Sequence, residues 1–359
     1  MEAVGVMTRA DFWRGRRVFL TGHTGFKGAW LALWLHGLGA RVTGYALAPP
    51  TDPSLYELAR IDDCVESITG DINDAARLQA IMQAAEPEVV FHLAAQALVR
   101  DSYAEPVATF ATNVMGTAHL LEAVRKTPSV RSVVVVTTDK CYQNREWVWG
   151  YRETDALGGH DPYSASKAAA EIVTAAWRSS FFADDVSIAT ARAGNVIGGG
   201  DFARDRLLPD FVRALERNVE LEIRHPHAVR PWQFVLEPLA GYIELAERAH
   251  AGEPGIASAW NFGPDEAGAR PVGEVIDAFS HAFALPAQIR LGVSEPQRHE
   301  ATLLRLDTSK ARAHLDFRPR IDLDRTLEWT AQWYRAYLDK RDLRAFSERQ
   351  LQAFLGLRS

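Results

Sequence analysis

Seven residues, Gly22-His23-Thr24-Gly25-Phe26-Lys27-Gly28, join the apolar run Arg17-Val18-Phe19-Leu20-Thr21 to a helical pattern from Lys27 to Leu38. A glycine-spaced turn between a buried strand and a helix admits few folds. The chain must turn tightly, which a Cβ would obstruct, and the helix then begins with free N–H groups aimed across the turn. In that context a G-x-x-G-x-x-G loop cradles the pyrophosphate of a dinucleotide on backbone N–H groups. The same order continues downstream. Arg41 to Ala46 and Val89-Val90-Phe91-His92-Leu93 read as strands, a helical stretch runs around Asn113 to Arg125, and Ser132 to Thr137 reads as another strand. Strands alternating with helices imply right-handed βαβ units and an α/β fold built on a doubly wound parallel sheet.

The 359 residues suffice for one large or two closely joined domains. A dinucleotide-binding domain is expected over residues 1–193, rejoined by about 233–264. After about Arg192 the pattern loosens, and residues 194–232 and 265–359 read as a smaller mixed α/β lobe. Such a lobe closes over the sheet's carboxyl edge, where open sheets bind ligands. Gly194-Asn195-Val196-Ile197-Gly198-Gly199-Gly200-Asp201 reads as a loop, because glycine this dense resists regular structure. Leu236 to Ala249 reads as an apolar-faced helix, and Leu327, Ala331, Tyr334 and Leu338 share one helical face taken as core.

With 40 Lys and Arg against 46 Asp and Glu, the net charge is −6, which argues against nucleic acid as a main partner. Cys64 and Cys141 form neither a zinc-like spacing nor a disulfide framework, so no metal is expected and a reducing compartment is. Cys141 reads as a small buried hydrophobe, with a reactive thiol as the alternative. Met1 to Arg17 lacks the apolar core of a signal peptide, and Ala29 to Leu38 is too short to span a bilayer. The expectation is a cytoplasmic protein without membrane contact.

The chemistry gathers in two segments. Thr137-Thr138-Asp139-Lys140 ends the apolar run Val133 to Val136, and Tyr163-Ser164-Ala165-Ser166-Lys167 heads an alanine-rich helix. Residues four apart share a helical face, which sets the Lys167 ammonium near the Tyr163 phenol. A free tyrosine titrates near ~10, and a neighbouring cation brings that value toward neutrality. Asp139 and Lys140 read either as an exposed ion pair or, at a strand's carboxyl end, as active-site groups. Asp71 in Gly70-Asp71-Ile72 reads as an adenine neighbour or as a turn aspartate. The second strand ends Tyr45-Ala46-Leu47-Ala48, with neither an acid for the adenosine ribose nor an arginine for a 2′-phosphate, so the residues alone leave NAD and NADP open. Arg204, Arg206, Arg224, Arg230 and Arg270 are individually surface charges by default. Arg230-Pro231-Trp232-Gln233 is the exception, since proline and tryptophan stiffen the backbone of an arginine suited to a diphosphate.

Together these motifs resemble the extended short-chain dehydrogenase/reductases that act on nucleotide sugars, over nearly the full length. The likeness is carried by Gly22 to Gly28 with its His23 and Lys27, by Thr137 to Tyr142, by Asp161-Pro162-Tyr163 to Lys167, by Arg192 to Asp201, and by Arg230 to Glu237. Within that group Lys140 is similar to the cytidine branch of the 4,6-dehydratases. The thymidine branch has Thr-Asp-Glu there, and the 4-epimerases lack both acid and base. Phe234 stands where the family more often has histidine, a departure expected to alter the sugar or phosphate site.

The resemblance implies a Rossmann-type fold and redox-neutral dehydration of CDP-glucose to its 4-keto-6-deoxy product. It implies a tightly bound NAD, reduced and reoxidised within the turnover. Tyr163 would take the C4 hydroxyl proton, Thr138 would hydrogen-bond that hydroxyl, and Lys167 would lower the tyrosine pKa and bind the nicotinamide ribose. Asp139 would protonate the departing C6 hydroxyl, and Lys140 would either remove the C5 proton or stabilise the enolate as a cation. Cofactor contacts are implied for Gly22, His23, Thr24, Gly25, Phe26, Lys27, Gly28, Asp71, Ile72, Leu93, Ala94, Ala95, Thr137, Tyr163 and Lys167. Substrate contacts are implied for Gln96, Asn195, Arg204, Arg206, Arg230, Trp232, Gln233 and Glu300. A homodimer is implied, through a four-helix bundle made from the helices near 98–125 and 163–180. The rival readings are another nucleotide-sugar dehydratase or 4-epimerase, and a non-catalytic NAD(P)-binding regulator.

Overall fold

The computed structural model of the protein describes residues 9–182, 185–223, 225–265, 268–284, 289–292 and 303–357. The described residues form twelve strands: β1 Arg17–Thr21, β2 Arg41–Ala46, β3 Glu66–Thr69, β4 Val89–His92, β5 Ser132–Val136, β6 Ser187–Ala193, β7 Asn195–Ile197, β8 Leu221–Ile223, β9 Val229–Phe234, β10 Ala259–Phe262, β11 Ala269–Pro271 and β12 Ile289–Leu291. Seven of them make one parallel sheet in the order β10-β6-β5-β4-β1-β2-β3. The central strands β4 and β5 are buried along their whole length, as continuous apolar runs must be when helices cover both faces of a sheet.

The strands' two-residue period sorts their side chains into two cores. Leu20, Phe91, Val134 and Val136 pack with the helices Phe26–Gly37 and Leu236–His250, against Trp30, Trp34, Leu239 and Ile243. Phe19, Val90, Val133 and Val135 pack with the helices Ala75–Ala85 and Gly116–Arg125, against Leu78, Met82, Leu120 and Val124. The chain leaves β1 toward β2 on one side and later returns to β4 on the other. The carboxyl ends of β1 and β4 therefore diverge around a crevice, the position at which doubly wound sheets bind ligands.

The helix Pro162–Phe181 begins where Asp161 caps it, its carboxylate accepting from the Ser164 N–H at 2.9 Å, with Pro162 in the first turn. The stretch expected as helical from Asn113 starts with a π turn, Ala111–Met115, before the regular helix Gly116–Arg125. The C-terminal helix Leu323–Leu338 is capped by Asp322 and buries Leu327, Ala331 and Tyr334 in the first core, with Leu338 packed against it.

The glycine-dense segment after β6 is a correction to the sequence reading. Asn195–Ile197 is not loop but the strand β7, paired parallel with Trp232–Phe234 of β9, which in turn pairs antiparallel with β11. The glycines flank these three residues and do not interrupt them, so the Asn-Val-Ile tripeptide is free to extend. Phe234 is a second correction. Its ring is fully buried, edge-on to Trp329 at 5.6 Å and 6.3 Å from Phe354, so it fills core and not a ligand site.

Candidate active site

The crevice is lined first by the glycine loop. Gly22 has φ +77°, and a Cβ there would lie 2.7 Å from the Ala94 nitrogen, so the loop is seated directly on the chain leaving β4. A Cβ on Gly28 would lie 2.1 Å from the Gly22 carbonyl oxygen, so the turn closes on itself only without side chains. Leu93 N–H donates to the Thr21 carbonyl at 3.2 Å and Ala94 N–H to the Thr21 hydroxyl at 3.2 Å, which fixes Leu93, Ala94 and Ala95 across from the loop.

These residues fit a dinucleotide. The helix Phe26–Gly37 has Gly25 as its N-cap, receives no side-chain cap and carries no acid in its first turn, so its N–H groups remain open to an anion. A Cβ on Gly25 would meet nothing nearer than the Gly22 oxygen at 3.4 Å, the mark of an open side where phosphate can approach. Thr24 donates to the Leu47 carbonyl at 2.9 Å and ties the loop to the end of β2. His23 is buried beside Ser67, 2.8 Å from its hydroxyl, and burial pushes its pKa down to about 4, so the ring is neutral. Asp71 is a turn residue whose carboxylate accepts from the Asn73 N–H at 2.9 Å, while Ile72 is buried against Gly116.

The groups expected to react stand at the carboxyl end of β5. Thr138 caps a short turn, its hydroxyl accepting from the Lys140 N–H at 3.3 Å and donating to Asp139 Oδ1 at 3.0 Å. Asp139 is buried, and its Oδ2 has no hydrogen-bond partner. A Cβ on Gly194 would come within 3.0 Å of that oxygen, so the glycine keeps the space before it clear. Lys140 Nζ lies 3.8 Å from Asp139 Oδ1 and is partly exposed.

Tyr163 and Lys167 lie one turn apart on the Pro162–Phe181 helix, both buried. Burial pushes the Tyr163 phenol up to about 12, outweighing a hydrogen bond with Thr138 and the charge of Arg206, both of which favour the phenolate. The phenol of this structure is thus not lowered as the sequence suggested, because desolvation exceeds the charges that reach it. Lys167 donates to the Val136 carbonyl at 3.1 Å, and burial brings it down to about 8 against the opposing charge of Glu171.

Sequence reading missed what holds this centre. Glu171, one turn beyond Lys167, accepts from Thr137 at 2.5 Å and Thr190 at 2.7 Å, and forms a bidentate pair with Arg192 at 3.0 and 2.9 Å. Arg192 also donates to the Tyr142 hydroxyl at 2.7 Å, and Tyr142 to Asn261 at 2.7 Å. Three strands and the Pro162–Phe181 helix are thereby joined beneath Thr137. The one signal available in the sequence was Glu171 recurring four residues after Lys167. Ser102 was also missed. Its hydroxyl accepts from the Tyr163 N–H at 3.1 Å and steadies the head of the helix.

The expected substrate residues divide. Arg206 reaches the centre, paired with the buried Asp201 at 2.9 Å and acting on Tyr163 and Lys27. Asn195 is partly exposed on β7, and Arg204 is exposed. Gln96 spends its amide locally, on the Leu98 carbonyl and the Thr109 hydroxyl, each at 3.0 Å. Arg230 donates to the Val229 carbonyl, Trp232 to the Arg270 carbonyl and Gln233 to the Phe262 carbonyl, all from buried positions on β9. Glu300 and Arg224 lie outside the described residues. Cys141 is buried and its thiol is raised well above its ordinary pKa by burial, which makes it an inert filler.

A family model described as GDP-mannose 4,6 dehydratase matches residues 19–330. The chain is 48% identical over 356 residues to CDP-glucose 4,6-dehydratase of Salmonella typhimurium, covering 98% of this chain and 99% of the relative. It is 28% identical to a dTDP-glucose 4,6-dehydratase of Streptomyces antibioticus, covering 76% of this chain and 77% of that one. Among solved structures, an epimerase of Methanothermobacter thermautotrophicus shares the fold with TM-score 0.80 at 22% identity, over 95% of this chain and 98% of that one. The chain belongs to the nucleotide-sugar 4,6-dehydratase family that this model describes.

Proposed function

We propose that the protein is an NAD-dependent lyase that dehydrates CDP-glucose to CDP-4-keto-6-deoxyglucose. The observation that carries this reading is the meeting of two sets of groups at one strand end: Tyr163, Thr138 and Lys167 for oxidation at C4, and Asp139 with Lys140 for elimination across C5 and C6. The extent of the likeness to the Salmonella enzyme supports cytidine diphosphate as the carrier.

NAD, when bound, would supply the hydride acceptor for C4 and the hydride donor for C6. The glycine loop would hold its pyrophosphate on the open N–H groups after Gly25, with Leu93, Ala94 and Thr137 alongside. Tyr163 accepts the C4 hydroxyl proton, and Thr138 hydrogen-bonds the same oxygen. Lys167 gives that side of the site its positive charge, and each added cation favours the phenolate. The C4 ketone acidifies the C5 proton, and loss of that proton leaves an enolate. Asp139 protonates the C6 hydroxyl as it leaves. Its unpartnered Oδ2, facing Gly194, is the oxygen free to do so. Lys140, with its Nζ 3.8 Å from Asp139 Oδ1, stands where it would either remove the C5 proton or stabilise the enolate as a cation.

We also infer a homodimer. Val107, Phe110 and Met115 on the 106–115 segment and Ile172 and Phe181 on the Tyr163 helix are exposed apolar side chains, on two helical segments that pack against each other. That apolar surface supports a four-helix bundle with a second copy. No helix among the described residues is long and apolar enough to cross a membrane. The free cysteines Cys64 and Cys141 support a reducing, cytoplasmic setting.

The experiment is incubation with CDP-glucose, with and without added NAD, followed by chromatographic detection of the 4-keto product. Parallel reactions contain dTDP-, UDP- and GDP-sugars. CDP-glucose recovered intact while another nucleotide sugar is converted would overturn the substrate assignment.

A further inference from the structure

β5 and β6 pair in parallel with Val136 level with Ala191, and three residues beyond these stand Asp139 and Gly194. The two leave the sheet side by side. Asp139 is buried, and its two oxygens differ. Oδ1 accepts from the Thr138 hydroxyl at 3.0 Å and has Lys140 Nζ at 3.8 Å, whereas Oδ2 has no hydrogen-bond partner. Gly194 is half-buried and lies against that second oxygen. A Cβ on it would stand 3.0 Å from Asp139 Oδ2, 2.7 Å from Pro231 Cγ and 3.3 Å from the Pro231 carbonyl oxygen.

The backbone does not require glycine here. Gly22 and Gly200 have φ +77° and +87°, but Gly194 lies outside the left-handed region. The residue joining β6 to β7 is therefore small for the space it leaves, between Pro231 of β9 and the Asp139 carboxyl. To receive a proton from Oδ2, a hydroxyl oxygen must come within about 2.5–3.0 Å of it. A methyl group 3.0 Å from Oδ2 would fill that same shell.

We propose that Gly194 is a positioning residue of the elimination: its missing side chain admits the C6 hydroxyl to Asp139 Oδ2. This rests on the dehydratase reading above. In that step the C5–H bond breaks and its electron pair becomes the C5–C6 double bond, the proton going to the base at C5. The C6–O bond breaks toward oxygen, and the Asp139 proton completes a water molecule. The base then returns its proton to C5 as hydride reaches C6. The proton that Tyr163 took from the C4 hydroxyl matches the one Asp139 gave up, so no further reagent is consumed.

The test uses the holoenzyme with CDP-glucose and with its 6-deoxy-6-fluoro analogue, whose fluoride leaves without a proton. Gly194→Ala is read for NAD binding by fluorescence titration, for reduced-nicotinamide absorbance on adding substrate, and for the 4-keto product. NAD binding and C4 oxidation should persist, while product from CDP-glucose falls about 100-fold, the scale of a lost general acid. The fluoro analogue should react at near the wild-type rate. An analogue slowed as much as CDP-glucose would overturn the proposal, as would product from CDP-glucose at the wild-type rate. Gly194→Ala/Pro231→Ala relieves the closer contact with the proline ring and, compared with Pro231→Ala, should show the same loss. Failure of both alanine variants to bind NAD would assign the glycine to the packing of β7 and sink the idea. On an Asp139→Asn background Gly194→Ala should slow product no further, because the acid it obstructs is gone. Additional slowing there also overturns the proposal. A failure of the dehydratase reading looks different, because wild type itself would then give no 4-keto product.

Discussion

Replacing Glu171 by methionine should destabilise the protein severely, and replacing Arg192 as well should relieve much of that loss. Both side chains are buried, and the carboxylate is saturated by Arg192 Nε at 3.0 Å, Arg192 Nη2 at 2.9 Å, Thr190 at 2.7 Å and Thr137 at 2.5 Å. Glu171→Met leaves a buried guanidinium with no counter-ion, a loss of about 3–5 kcal/mol. Folded proteins hold roughly 5–15 kcal/mol in all, so about a fifth or more of the margin goes with one side chain. In Glu171→Met/Arg192→Met neither charge is buried alone. The hydroxyls of Thr137 and Thr190 still lose their acceptor at about 1 kcal/mol each, while Tyr142 keeps Asn261 at 2.7 Å.

The double variant should thus unfold at a higher urea midpoint than either single one, with a coupling of about 2 kcal/mol or more. The midpoints are read from tryptophan fluorescence without cofactor, and their order does not depend on a two-state transition. The pH dependence gives a second reading. Burial works to raise the Glu171 pKa, but the charge and hydrogen bonds of Arg192, with those of Thr137 and Thr190, outweigh it and hold the carboxyl below its ordinary range. A depressed folded-state pKa contributes stability above the unfolded value of ~4.3 that is lost as pH falls through the folded value. Glu171→Met should lack that share of the wild-type acid loss. A double variant less stable than both single ones would refute the account of the pair as two charges that depend on each other.

Thr138→Val removes a hydrogen bond that lowers the Tyr163 phenol, so the rise of C4 oxidation with pH should move to more alkaline values. Reduced-nicotinamide absorbance across a pH series measures it, and an unmoved limb would detach Thr138 from Tyr163. Gly28→Ala forces a Cβ to 2.1 Å from the Gly22 carbonyl oxygen and should abolish NAD binding in a fluorescence titration. Gly37→Ala, where a Cβ meets nothing within 4 Å, should bind normally and melt slightly higher, by about 0.5–1 kcal/mol of stability. Val107→Glu with Ile172→Glu places charges on two exposed apolar sites of the bundle face and should give monomers in sedimentation. Dimers that persist would move the interface elsewhere.

The main sheet was legible because its signals are local. The Val133–Val136 run can only be a strand buried on both faces, and Gly22 to Gly28 can only be a turn onto a helix. Asp161-Pro162 marked the head of the catalytic helix for the same reason, since a cap and a first-turn proline act within four residues. The Glu171–Arg192 pair was not legible. Its members lie 21 residues apart on a helix and a strand, and only the packing of Pro162–Phe181 on β6 brings them together. Gly194 to Asp201 misled because composition speaks of average freedom, while β7 is set by a partner strand more than thirty residues on. Tyr163 misled in degree. Lysine spacing shows that a cation is near, but the desolvation that outweighs it depends on every element closing over the site.

The charges around Asp139 distinguish between reactions that this scaffold can host. An enzyme that returned its hydride to C4 would need a proton acceptor there, which Tyr163 with Thr138 and Lys167 provides, and nothing at C5 or C6. This centre holds more. Lys140 adds an amine, and Asp139 adds a buried acid with one oxygen unclaimed. Leaving a buried carboxylate oxygen unpaired works against folding. Such costs persist where a ligand or a reaction uses the groups. Oxidation at C4 followed by elimination would use both: Lys140 at C5, as base or as the cation that stabilises the enolate, and the free carboxyl oxygen of Asp139 at the C6 hydroxyl. A return of hydride to C4 would leave both unused, which is why the surplus argues for dehydration over epimerisation.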